Sequence, residues 1–226
     1  MFKVKKIIVS AIILFTVICL AQAKTFYSDG PKDIKKVALT FDDGPGKATE
    51  KILEILKEKD VKATFFMLGI RVQNDPDGAK AVAAAGHEIA NHTYEHINFY
   101  AYKGEDKTDK IEKELLRGGN IIKKATGIKP SLVRFPNGYS KPDAVKAAKK
   151  HNCYLINWSF GCDWKNMTAE EMHEKYKKAV TSGAIFLMHD LHKNERVLSF
   201  LSDFIDEIKK AGYEIVTVSE LLNLNC

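Results

Sequence analysis

The chain predicts an α/β fold of the distorted (β/α)7 barrel type, a ring of parallel strands with helices outside it. Two observations carry that expectation. Seven short β-rich runs recur along the 226 residues, separated by helical patterns, and a strand that returns parallel to its predecessor needs such a crossover. Side chains able to do chemistry gather at the carboxyl ends of these runs, where β/α barrels build their sites. An open sheet is the alternative, but seven units in so short a chain suit a small irregular barrel better than a doubly wound sheet.

The chain starts with "MFKVKKIIVSAIILFTVICLAQA", in which Lys3, Lys5 and Lys6 precede an apolar run from Ile7 to Leu20 and a small-residue ending, Ala21-Gln22-Ala23. That order is the pattern of a secretory signal peptide, residues 1–23, and the run falls short of the roughly 20 residues that span a bilayer. Residues 24–226 then form one domain of an exported protein, periplasmic, extracellular or associated with the cell wall, with no membrane span after cleavage. Loss of the leader removes three lysines and no acid, so the formal charge falls from +6 to +3, too small a surplus for a nucleic-acid partner. Cys153, Cys162 and Cys226 remain; an odd number permits at most one internal disulfide. No Cys-x-x-Cys pair supports a thiolate metal site.

The strand runs are "KKVALTF" near 35–41, "ATFFML" from 63, "HEIANH" from 87, "SLVRF" from 131, "CYLINWSF" from 153, "AIFLMH" from 184 and "EIVTVS" from 214. Helical spacing appears at Ile52, Ile55 and Leu56, at Ile111, Leu115, Gly118, Ile122 and Ala125, and at Val197, Leu201, Phe204 and Ile208. Gly118-Gly119 lies inside the second pattern at a cost of about 1 kcal/mol per glycine, which allows a break there. The lysine-rich stretch 102–110 reads as a solvated face. Trp158 and the Phe65-Phe66 pair read as core, and His87, His151, His173 and His192 as structural or exposed.

Five of the seven run ends carry unusual polar groups: Asp42 and Asp43, then His92 and His96, Arg134, Asp163 with Trp164, and His189. The i, i+4 spacing of His92 and His96 would aim both imidazoles one way on a helical turn, and Asp43 can complete a His-His-Asp metal site. Neighbouring residues of a strand point to opposite faces, so Asp42 and Asp43 share a site only where the strand has ended, as Gly44-Pro45 demands. Both can stay ionised if a metal takes Asp43 and a second cation holds Asp42. Arg134 is the candidate, one of four arginines among 35 basic residues, with a planar fork suited to a carboxylate.

"TFDDGP", "H-T-x-x-H", "R-F-P-x-G", "D-W" and "L-x-H", in that order from about Lys35 to Leu222, closely resemble the polysaccharide deacetylase family, carbohydrate esterase family 4. The resemblance implies the distorted barrel and roles at matching positions. Asp42 would be the general base, Asp43, His92 and His96 the metal ligands, Arg134 the orienter of Asp42, and His189 the general acid tuned by Asp163. Trp164 and Leu187 would wall the acetyl pocket, and the backbone N–H at Asn137 would face the oxyanion. The ion implied is divalent, zinc first, although cobalt, iron and manganese accept the same donors. The implied substrate is an N-acetylated glycan, peptidoglycan N-acetylglucosamine first, with chitooligosaccharide, muramic acid or exopolysaccharide as alternatives, and a silent glycan-binding homologue as another. The chain departs from the family pattern at Asn137, where an aromatic residue is usual, at Phe160, where the D-W motif usually has an earlier Asp, and in the loop after His96.

Overall fold

The computed structural model describes residues 25–191 and 195–224; the leader 1–23, His192 and Cys226 lie outside the described residues. In chain order the elements are β1 (Phe26–Tyr27), β2 (Lys36–Asp42), α1 (Thr49–Glu58), β3 (Thr64–Met67), α2 (Gly69–Asn74), α3 (Pro76–Ala84), β4 (Glu88–Asn91), α4 (Lys107–Thr126), β5 (Leu132–Val133), a 3-10 turn (Pro136–Gly138), α5 (Pro142–Lys150), β6 (Tyr154–Ile156), β7 (Phe160–Gly161), α6 (Ala169–Lys178), β8 (Ile185–His189), α7 (Glu195–Lys210), β9 (Glu214–Val216) and α8 (Val218–Leu222). No helix among the described residues is long and apolar enough to cross a membrane.

All strand pairs are parallel, in the order β1-β6-β5-β4-β3-β2-β8-β7, with β9 against the first residues of β2. The barrel expectation holds in the form of a curled half-barrel: among the described residues the path ends at β1 and β7 without closing. Each of the seven expected runs contains a strand. The run "CYLINWSF" contains two, because β6 pairs with β5 and β1 while β7 pairs with β8. Residues 157–159 carry the chain across the gap, and the carbonyls at this break are left for side-chain partners.

Strand alternation sets which groups reach the site. Along β2, Val37, Leu39 and Phe41 join the large core beneath the helices, together with Ile52 and Leu56 of α1 and Val197, Leu201, Phe204 and Ile208 of α7. The alternate residues Ala38, Thr40 and Asp42 face the concave side, where Ala38 packs with Phe66, Ala90, Ile156 and Val218. Asp42 therefore ends β2 on the face that the helices leave open.

α4 runs unbroken through Gly118-Gly119, where the glycine pair would have allowed a break. A Cβ at Gly118 would lie 2.4 Å from the Thr93 carbonyl oxygen and 2.6 Å from Asn91 Oδ1, so only glycine lets this helix touch the loop after β4. At Gly119 the nearest atom to an added Cβ is Asn91 Nδ2 at 3.4 Å, an ordinary contact. Gly119→Ala should therefore stabilise the fold by up to about 1 kcal/mol through helix propensity, whereas Gly118→Ala should destabilise it by about 1–3 kcal/mol through overpacking. Urea unfolding of the two variants checks the opposed signs.

Candidate metal centre and catalytic cleft

Asp42, Asp43, His92, His96, Asn137, Trp158, Trp164, Leu187 and His189 line a cleft of about 390 Å³ at the carboxyl ends of the strands. All but Trp158 were expected there from the sequence. Arg134 and Asp163, also expected, are fully buried behind the lining, each against one of its members. Trp158 corrects its core reading: half-buried, it lines the cleft, and its ring lies 6.3 Å from that of Trp164. Phe65 and Phe66 are core as expected.

The two adjacent acids diverge because their backbones differ. Asp42 is the last residue of β2, whereas Asp43 has a φ of 76°, the left-handed region that aspartate tolerates better than most residues. That twist turns the second carboxylate into the same cleft. Asp43 Oδ1 lies 3.4 Å from both His92 Nε2 and His96 Nε2. It is buried with no hydrogen-bond partner, an arrangement that costs free energy unless a cation or donor arrives. The three ligand atoms lie within 4.8 Å of one another, so the residues present fit a divalent ion.

The histidines do not share a helical turn as the i, i+4 spacing led us to expect. Residues 92–96 form an irregular loop in which Thr93 and His96 adopt positive φ of 72° and 61°. The imidazoles converge because of these reversals. His92 Nδ1 lies 2.7 Å from the Arg134 carbonyl oxygen, which can only accept, so Nδ1 carries the proton and Nε2 offers its lone pair to the cleft. Burial, opposed chiefly by Asp43, lowers the His92 pKa to about 3 and keeps the ring neutral.

Asp42, beside this cluster, is engaged by a cation of its own. Arg134 Nη1 donates to Asp42 Oδ1 at 2.6 Å and to Thr40 Oγ1 at 2.9 Å. Nε donates to the Ile156 carbonyl at 3.1 Å and Nη2 to that of Asn157 at 3.0 Å, the two carbonyls at the β6–β7 break. The guanidinium also lies over the Phe66 ring, 4.0 Å from its centroid. Burial raises the Asp42 pKa above the usual carboxylate range, with Arg134 the main opposing influence.

Across the cleft, Asp163 accepts both the His189 backbone N–H at 2.8 Å and its ring Nδ1–H at 2.9 Å, which directs Nε2 to the opening. Burial works against the imidazolium, but the hydrogen bond and charge of Asp163, with Asp42 and Asp43 beyond, lift its pKa to about 9. Leu187 is buried and Trp164 is 51% exposed at the mouth. Asn137 is exposed with a φ of 58°, a left-handed conformation that asparagine takes readily. Phe160 packs on Tyr176, 5.1 Å between centroids.

Arg196 escaped the sequence reading. It donates to the carbonyls of Asp163, Lys165 and Met167 and pins the loop that presents Asp163 and Trp164. The scarcity of arginine that singled out Arg134 would have found it. His87, His151 and His173 lie away from the cleft lining, and Cys153 and Cys162 are free thiols.

Fold and site together define a parallel α/β protein with an Asp-His-His cluster beside a buried, arginine-held aspartate. The family model of polysaccharide deacetylases matches residues 29–156. A Bacillus cereus peptidoglycan-N-acetylglucosamine deacetylase is 37% identical over 197 residues, covering 85% of this chain and 90% of the relative. The crystal structure of the Bc1960 peptidoglycan N-acetylglucosamine deacetylase superposes with a TM-score of 0.84 at 30% identity, covering 89% of this chain and 94% of that one. BA3943 of Bacillus anthracis, described as a pseudoenzyme of carbohydrate esterase family 4, superposes with a TM-score of 0.80 at 30% identity over 87% of this chain and 68% of its own. The chain belongs to the polysaccharide deacetylase family, whose members are metal-dependent.

Replacing Arg134 with methionine would leave Asp42 buried without its cation, and we expect a loss of about 3–5 kcal/mol in stability by urea unfolding. Arg134→Lys should recover little of it, because one ammonium cannot reach the four acceptors on β2 and on residues 156–157 together.

Proposed function

We propose that this chain hydrolyses the N-acetyl group of an N-acetylated glycan, peptidoglycan N-acetylglucosamine first, and releases acetate. The observation that carries the reading is the separation of the two acids: Asp43 faces both histidines with an unpaired oxygen, while Asp42 is bound to Arg134 and keeps its Oδ2 3.7 Å from His92 Nε2. Relatives that match most of the chain are named for this substrate, and the leader pattern would deliver the protein to it. Soluble chitooligosaccharide, muramic acid and exopolysaccharide are the other substrates to be compared.

Asp43, His92 and His96 would hold the ion, zinc before cobalt, iron or manganese. Such an ion supplies Lewis-acid polarisation of the acetyl carbonyl and a more acidic water. Asp42, its pKa raised by burial, takes a proton from the attacking water. As the water oxygen bonds to the acetyl carbon, the backbone N–H of Asn137 donates to the carbonyl oxygen as it becomes negative, a contribution of about 3–4 kcal/mol for one such donor. His189, kept protonated by Asp163, gives its Nε2 proton to the nitrogen as the carbon–nitrogen bond breaks. Acetate and a free amine leave, and Asp42 returns its proton through solvent to His189. Leu187 walls the methyl group, and Trp164 offers a ring face to the sugar. A protein that only bound glycan would need neither Asp42 nor the Asp163–His189 pair.

Asp42→Asn should keep the fold and bound metal yet reduce acetate release from peptidoglycan by at least 100-fold; undiminished turnover would refute the base. The proton of His189 is available below its raised pKa and is lost as pH rises through it. Removing the charge that raises it, by Asp163→Asn, should therefore shift the alkaline limb of the kcat profile to lower pH as well as lowering kcat. A limb that stays in place would remove His189 as the acid.

A further inference from the structure

The loop 92–96 carries two of the three proposed ligands, yet neither helix nor strand covers it and two of its residues have left-handed φ. Its shape must be fixed from outside. Asn91 Oδ1 accepts the Thr93 N–H at 2.9 Å. The next two N–H groups, those of Tyr94 and Glu95, both donate to a single atom, Glu114 Oε2 of α4, at 3.2 and 2.8 Å. Glu114 is only 2% exposed, and burying a carboxylate is costly unless it is paired and hydrogen-bonded. Lys110 Nζ lies 3.6 Å from its other oxygen, one turn earlier on the same helix.

The neighbouring residues of α4 reinforce the contact. The Leu115 carbonyl accepts from Asn91 Nδ2 at 2.8 Å, and Gly118 allows the helix backbone to approach Thr93. Arg117 lies over the Tyr94 ring, 3.4 Å from its centroid. The loop is thus docked on a helix that lines no part of the cleft, and one charged atom takes the N–H groups of two residues that lie between the histidines in sequence.

We propose that Glu114 is a positioning residue of the metal centre: by holding the N–H groups of Tyr94 and Glu95 it fixes the relative aim of His92 and His96, and through them metal affinity and kcat. It touches neither ion nor substrate. The inference rests on the reading of Asp43, His92 and His96 as ligands, so the experiment must separate the two.

Zinc affinity of the full chain, measured by competition with a chromogenic chelator, is compared for wild type, His92→Ala, Glu114→Ala, Glu114→Asp, Glu114→Gln and Ile111→Ala, the last a packing control on α4. The d–d absorption spectrum of the cobalt form is recorded alongside. Glu114→Ala should weaken zinc binding 10- to 100-fold, alter the cobalt spectrum and lower kcat at saturating zinc with KM unchanged. Glu114→Asp, whose carboxylate falls short by one methylene, should fold and show the same changes in smaller measure. Glu114→Gln retains an acceptor oxygen and should recover most of the affinity, while Ile111→Ala should lose stability but keep zinc affinity and spectrum. Wild-type affinity and spectrum in the folded Glu114→Ala or Glu114→Asp proteins would overturn the proposal while leaving the ligands intact. Wild-type affinity in His92→Ala would overturn the ligand reading itself.

Discussion

The buried contact between Arg134 and Asp42 is the constraint on which the rest of the site depends. One guanidinium joins the end of β2 to the break between β6 and β7, and its own backbone carbonyl fixes the tautomer of His92. Such an ion pair is a weak source of net stability, because desolvating both charges offsets much of their attraction. Its value lies in geometry: a carboxylate only 3.7 Å from His92 Nε2 is tied to a cation of its own rather than left to the cluster of Asp43, His92 and His96. Four donated hydrogen bonds in one plane leave the guanidinium a single way to sit.

The open seam of the half-barrel follows from the same arrangement. A closed ring of strands would have used the Ile156 and Asn157 carbonyls in ladder hydrogen bonds; here the chain leaves β6, crosses to β7 beside β8, and Arg134 takes those carbonyls instead. The break also brings Asp163 round to His189, with Arg196 securing the loop beyond it. An irregularity of the sheet thus supports both sides of the cleft, the aspartate–arginine pair on one and the aspartate–histidine pair on the other.

Much of this was legible in the sequence because it rests on local signals. Apolar β-rich runs located the strands, helical spacing located α1, α4 and α7, the residues at run ends named six of the nine cleft-lining residues, and the family resemblance added Asn137 and Leu187. What was not legible depended on tertiary contact. β1 is two residues long, below any detectable period. The run at 153–160 alternates like one strand, and only its different neighbours divide it. The histidine spacing is the same for a helical turn and for the loop that forms, and the choice is made by Glu114, Asn91 and Gly118, remote in sequence or without a motif of their own. Trp158 resembles any buried tryptophan until its neighbours are known.

The account divides two adjacent carboxylates between two cations, and anomalous diffraction at the zinc edge from crystals of the zinc-loaded protein tests that division most directly. It should show one peak shared by the Asp43 carboxylate, His92 Nε2 and His96 Nε2, with Asp42 still on Arg134. A peak ligated by Asp42, or one lying away from the two imidazoles, would contradict it.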